Sequence, residues 1–129
     1  MKNPEQTRAA QALKFWNSEP AKKLAGREGA EVLRRLPALL LTNGLLATLA
    51  YAKTSPEPWK ILMDEISAFL SPGKMGVLPA PAPNLDSLIQ VLTNELSDSL
   101  LLQRATAEAL FYTGYLKRFA PRSKPQPET

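Results

Sequence analysis

The chain has 129 residues, a formal net charge of +4, and neither cysteine nor histidine. This length is typical of one domain that buries its own core without disulfides or metals. Without cysteine the chain can form no disulfide and has no thiol nucleophile, so we expect an intracellular, cytoplasmic protein. Without histidine it lacks the commonest general base and the commonest transition-metal ligand. We therefore expect a protein that is not an enzyme and needs no metal or cofactor.

The first predicted helix begins at an N-cap, Asn3, with Pro4 at its first position and Gln6 placed to complete a capping box. Helical spacing puts Phe15 outside the predicted buried face. That face consists of Ala9, Ala12, Leu13 and Trp16.

Two further helices are predicted over 21–36 and from Pro37 to about Lys53, because proline interrupts a helix. Gly26 and Gly29 weaken the first of them. The uncharged run 36–52 has 17 residues, fewer than the roughly 20 that a membrane span needs. It predicts a buried central helix and no membrane association.

A fourth helix is predicted to end at about Leu70, with Ser67 facing out. A Pro/Gly-rich linker follows at 71–83, outside the bundle. A fifth helix is predicted after an Asn84 cap, with Leu85, Leu88, Ile89, Leu92 and Leu96 as its apolar stripe. The run Ser97-Asp98-Ser99 offers an N-cap for the last helix, which runs to about Ala120. The sequence thus predicts an all-α, single compact bundle of about six helices over residues 1–120, with a disordered tail at 121–129.

Polar residues on the apolar helices are candidates for subunit contacts. Arg104 and Glu108 have the i, i+4 spacing of a helical ion pair, which favours either a structural pair or an interface anchor. Asn43 lies in a long apolar run, where it either is tolerated or meets a partner's backbone. The candidate subunit-interface residues are Asn43, Arg104, Glu108 and Tyr115.

Positive charge is concentrated in the first half of the chain. Residues 1–53 hold nine Lys and Arg against four Asp and Glu. Such a balance indicates either a polyanionic partner or simply a solvated surface. Cations near aromatic rings are typical of single-stranded nucleic-acid binding, and the alternative is a small helical DNA-binding regulator. The candidate RNA-binding residues are Lys14, Arg34, Arg35, Lys53, Lys117 and Arg118.

A family resemblance rests on four places in the sequence. They are Arg8, Ala9 and Ala12, the runs 36–39 and 42–45, the helix 59–70, and the runs 104–110 and 116–120. In these places the chain resembles the small helical subunit of the type III-B CRISPR (Cmr) RNA-guided effector complex, over about residues 5–120 in all. The family often has Trp at the position of Tyr115.

The resemblance implies a non-catalytic subunit for antiviral defence that stacks in a minor filament and helps to hold target RNA. It also implies three kinds of partner: other Cmr subunits, further copies of the chain, and crRNA with target RNA.

Overall fold

The structure, a computed structural model, describes residues 3–121. These residues form six helices and no strand, which confirms the all-α prediction. Only Pro121 of the tail predicted at 121–129 belongs to the described residues. The helices are α1 (Pro4–Trp16), α2 (Glu19–Lys22), α3 (Arg27–Lys53), α4 (Glu57–Leu70), α5 (Leu85–Thr93) and α6 (Ser99–Phe119).

Three helices begin at side-chain caps that the sequence predicts. Asn3 and Gln6 form a reciprocal capping box at α1. Asn84 accepts a hydrogen bond from the Ser87 backbone at α5, and Asp98 accepts one from the Leu101 backbone at α6. Each cap satisfies a backbone donor that the first helical turn leaves without a partner.

The break in the long apolar stretch lies at Gly44 and not at Pro37. Pro37 lies inside α3, between the fully packed Leu36 and Leu40, whose burial holds the helix together there. Gly44 adopts φ 83° and ψ 171°, a conformation that is essentially restricted to glycine. The chain folds back at this point, so that α3 is a helical hairpin.

The hairpin brings residues far apart in the chain into contact. The guanidinium of Arg35 lies over the ring of Tyr51, whereas a straight helix would separate residues 16 apart by about 24 Å. By length and composition α3 is the one described helix apolar enough to cross a membrane. Since it turns back at Gly44, neither arm alone has that length.

The other helices pack around this hairpin with alternating directions. α1 and α6 run parallel, because Arg8 contacts Glu108 at one end while the Trp16 indole donates to the Leu116 carbonyl at the other. α4 runs in the opposite direction to α1, because its start pairs with Lys23 beyond the end of α1 and Glu65, two turns later, accepts a hydrogen bond from Gln11 in the middle of α1. The Phe69 ring of α4 stacks on Tyr112 of α6 with centroids 3.8 Å apart. The largest fully buried side chains are Tyr112, Phe69, Leu36, Leu40, Leu45, Leu49, Leu62, Met63, Ile66, Leu70, Leu88 and Leu116.

Two apolar faces differ from the prediction. In α1, Phe15 is 4% exposed and Leu13 is 48% exposed, because the core approaches α1 from both α6 and α4, which rotates its buried face. Leu96 lies beyond the end of α5 and is 94% exposed, since the helix stops at Thr93. Periodicity alone does not show where the neighbouring helices lie.

The segment 71–83 contains no helix, as predicted, but it belongs to the bundle and is not a spacer outside it. Leu78 and Ala82 are buried in the core. The Leu78 backbone donates to the Leu70 carbonyl, and the Ala82 backbone donates to the Ser71 hydroxyl. Ser67, predicted to face out, is fully buried, and its hydroxyl is satisfied there by donating to the Met63 carbonyl. Apolar side chains and internal hydrogen bonds therefore anchor this proline-rich segment.

Candidate nucleic-acid and subunit interfaces

One end of the bundle collects segments that are distant in the chain. The bond from Trp16 to Leu116 joins the last turns of α1 and α6. Lys23, just after α2, pairs with Glu57 at the start of α4 at 3.0 Å. The first arm of α3 meets the start of α4 where Arg35 lies over Trp59. We call the surface formed by residues 14–35, 51–60 and 115–118 the basic end.

The charge of the described chain is divided between this end and the rest. The basic end holds ten Lys and Arg against four Asp and Glu, and Asp86, which pairs with Lys53, adds a fifth carboxylate beside it. The remaining described residues hold three Lys and Arg, namely Arg8, Lys74 and Arg104, against six Asp and Glu. Folding therefore turns a mild excess along the sequence into a polarised molecule with one strongly positive end.

All six candidate RNA-binding residues lie at the basic end. Lys14, Lys117 and Arg118 lie near the ends of α1 and α6 and are exposed. Lys53, at the end of α3, is 3.2 Å from the Asp86 carboxylate in an exposed pair. An exposed pair of this kind contributes little to stability, so that Lys53 can exchange this partner for a phosphate.

The adjacent Arg34 and Arg35 differ in their surroundings. Arg34 donates twice to the Glu31 carboxylate one turn earlier, at 2.5 and 3.4 Å. This pair raises the pKa of Arg34 and lowers that of Glu31. Arg35 lies over the Tyr51 and Trp59 rings instead. The sequence treats these two arginines alike, but the structure separates them.

Glu108, an interface candidate, is paired inside the molecule. Its partner is Arg8 of α1, which donates from Nε at 2.6 Å and from Nη2 at 2.8 Å, so the predicted pairing with Arg104 is wrong. The pair is largely buried, and the hydrogen bond to Glu108 raises the pKa of Arg8. Arg104 is exposed beside a groove that Phe111 also lines. The i, i+4 spacing could not reveal a partner from another helix.

The two other interface candidates lie at different places. Asn43 is exposed at the apex of the α3 hairpin, beside Leu41, whose side chain is 76% exposed. Tyr115 is half-buried, and its ring stacks loosely on Phe119. Burial and a hydrogen bond to Glu5 raise the pKa of its hydroxyl. A role of these residues in subunit contacts remains a prediction.

Residues 4–122 match a family described as CRISPR-associated protein (Cas_Cmr5). The chain belongs to this family. It is therefore a small subunit of the type III-B CRISPR Cmr complex and associates with other subunits of that complex. No curated protein and no solved structure gave a significant match.

The Cmr small subunit also contains a polar network that the sequence does not reveal. Glu65 of α4 accepts hydrogen bonds from the Tyr112 hydroxyl at 2.5 Å and from the Gln11 amide at 3.2 Å. Burial raises the pKa of Glu65, and these hydrogen bonds oppose the rise in part. Glu65 lines a cavity of about 370 Å³ between α1 and α4, with Lys14 and Lys74 among its other lining residues. The network links three helices, which points to a structural role.

Acidic residues are not grouped as a metal site within the part of the chain that the structure describes. Over residues 3–121 there is no set of three or more His, Cys, Asp or Glu placed to hold a metal ion. The two interior carboxylates that stand out, Glu65 and Glu108, each have partners on other helices.

Proposed function

We propose that this Cmr subunit holds the target RNA strand at its basic end. The observation that carries the proposal is the division of charge. Ten cations stand against five carboxylates at that end, counting Asp86, and three stand against six over the other described residues. A phosphate backbone is attracted to such a surface through release of its counterions, irrespective of sequence. Exposed Lys14, Lys117 and Arg118 are free to reach phosphates there.

We further propose that copies of the subunit stack as a filament through surfaces away from the basic end, which leaves that end open for RNA. A filament needs a head-to-tail contact between two different patches. The exposed apolar residues provide candidates: Leu41 at the apex of α3, beside Asn43, and Leu96 with Leu100 at the turn into α6. The polar candidate Arg104 lies one turn farther along α6 and is also exposed.

We infer that the subunit cleaves no RNA and works in the cytoplasm as part of the complex. The sequence offers neither His nor Cys for acid–base or nucleophilic chemistry. Glu108 and Glu65 are held by Arg8 and by Tyr112 with Gln11, which supports a structural role for both. Metal-dependent cleavage of RNA by the purified subunit, lost on Glu108→Gln, would contradict this inference.

The experiment is a salt series of target-RNA binding by the assembled complex, with paired charge changes. Lys117→Glu with Arg118→Glu alters the basic end by −4. Lys74→Glu with Gln90→Glu changes the net charge by a similar −3, away from the basic end and from the proposed stacking surfaces. The first pair should weaken binding for every target sequence and reduce the salt slope by about 0.7 per lost phosphate contact, since single strands release counterions in that proportion. The second pair should leave both quantities near the wild-type values.

Equal effects of the two pairs would show that only net charge matters, which contradicts a defined RNA surface. The alternative function, a DNA-binding regulator, has its own signature. The isolated subunit would then select one duplex site roughly 10³-fold or more over random duplex. That result in a duplex selection experiment would overturn the proposal.

A further inference from the structure

Arg34 and Arg35 are adjacent exposed cations of α3, but only Arg34 has a carboxylate partner among the described residues. The Glu31 carboxylate accepts two hydrogen bonds from the Arg34 guanidinium and offsets its positive charge locally. Arg35 is in no ion pair within residues 3–121. Its charge is therefore available to an external anion.

Two aromatic rings hold Arg35 in place. Its guanidinium carbon lies 5.9 Å from the centroid of Tyr51 and 5.5 Å from that of Trp59, within the range of cation–π attraction. Its Nη2 is 3.4 Å from the Tyr51 hydroxyl, a long hydrogen bond. The two rings meet edge to face at 5.0 Å. An arginine positioned in this way loses little further freedom when it binds a ligand.

Of the two rings that contact Arg35, one is fixed in the core and the other is accessible to solvent. Trp59 is buried in the core, whereas the Tyr51 side chain remains 41% exposed. Exposed Lys60 follows Trp59 in the sequence, and Lys53, whose pair with Asp86 is exposed, lies two residues after Tyr51. Proteins bind single-stranded nucleic acid with cations that contact phosphates and with accessible aromatic rings that stack on bases. Arg35 and the exposed Tyr51 ring supply one of each.

We propose that Arg35 and Tyr51 form a nucleotide subsite for single-stranded RNA. The Arg35 guanidinium takes a backbone phosphate with two of its N–H groups, and the exposed part of the Tyr51 ring stacks the neighbouring base. Because every base has an aromatic face, the subsite is tolerant of sequence. This inference rests on the proposed function and adds to it a specific contact besides diffuse charge.

The test compares single variants in the assembled complex by the dissociation constant for target RNA. Arg35→Ala and Tyr51→Leu should each weaken binding about tenfold, the scale of one stacked or bidentate contact. The comparison variant, Arg34→Ala, removes the same charge one residue away and should weaken binding several-fold less than Arg35→Ala does, because Glu31 already pairs with Arg34. Arg35→Lys should fail to restore affinity, because lysine lacks the planar fork. Tyr51→Phe keeps the ring and should bind nearly as well as the wild type.

Thermal unfolding and incorporation into the complex are measured for each variant, so that a folding defect is recognised. Equal losses for Arg34→Ala and Arg35→Ala, or full rescue by Arg35→Lys, would overturn the subsite. The subsite would also be overturned if the Tyr51→Leu subunit enters the complex normally and the complex then binds target RNA as tightly as it does with Tyr51→Phe. The reversal of Lys117 and Arg118 separates the two proposals: if that pair weakens binding while Arg35 and Arg34 behave alike, the basic end stands and the subsite fails.

Discussion

Removal of either partner of the Arg8–Glu108 pair should destabilise the fold, and by unequal amounts. The side chains are 17% and 10% exposed, so loss of one leaves a poorly hydrated charge. Breaking a fully buried pair costs about 3–5 kcal/mol of unfolding free energy. Arg8→Ala leaves the short Glu108 carboxylate without a partner in the interior and should lower the free energy of unfolding by about 3 kcal/mol. Glu108→Ala should cost about 2 kcal/mol, because the long Arg8 side chain can move its charge towards water.

Thermal unfolding of the full chain measures these changes. For a domain of this size 1 kcal/mol corresponds to roughly 4 °C in Tm, so we expect losses of about 12 °C for Arg8→Ala and about 8 °C for Glu108→Ala. The double variant should lose less than the sum, with a coupling of about 2 kcal/mol. Arg104→Ala is the matched control and should stay within about 0.5 kcal/mol of the wild type. Additive losses in the cycle, or an Arg104→Ala loss as large as that of Glu108→Ala, would refute the pairing.

Two other substitutions test the interior. Burial raises the pKa of Glu65 above the ordinary 4.5, so the folded protein keeps this proton to higher pH than the unfolded chain does. The free energy of unfolding should therefore fall as the pH rises from about 4.5 through the folded pKa. Glu65→Gln should flatten this fall in a series of chemical denaturations at different pH values. Gly44→Ala should cost about 1–3 kcal/mol, because its conformation suits only glycine although the space around it is open. Gly114→Ala, at an equally open site inside α6, should be neutral or stabilising by up to about 1 kcal/mol. A pH profile unchanged by Glu65→Gln, or equal effects of the two glycine variants, would contradict these assignments.

Local signals predicted the elements well, since a cap or a proline-rich segment acts through its neighbours in the chain. Asn3, Asn84 and Asp98 cap the predicted helices, and the structure leaves 71–83 without a helix. The way each helix packs against the other helices was harder to predict from the sequence. The burial of Phe15 depends on where α4 and α6 lie, which periodicity within α1 does not contain.

The contacts of the candidate sites are long-range and follow from the α3 turn and from the parallel packing of α1 with α6. Gly44 reverses the chain and brings Arg35 to Tyr51, whereas the sequence suggests proline as the breaking residue. Glu108 has its partner 100 residues away and not one turn away. Composition indicated a basic half of the chain; only the fold shows that its cations share one end.

The most direct test of the account is a crosslinking map of this subunit in the assembled, target-bound Cmr complex. RNA crosslinks should fall on residues 14–35, 51–60 and 115–118, with Arg35 and Tyr51 among them. Contacts with neighbouring subunits should fall on residues 41–43 and 96–104. RNA crosslinks concentrated on 41–43 or 96–104, with the basic end facing protein, would contradict it.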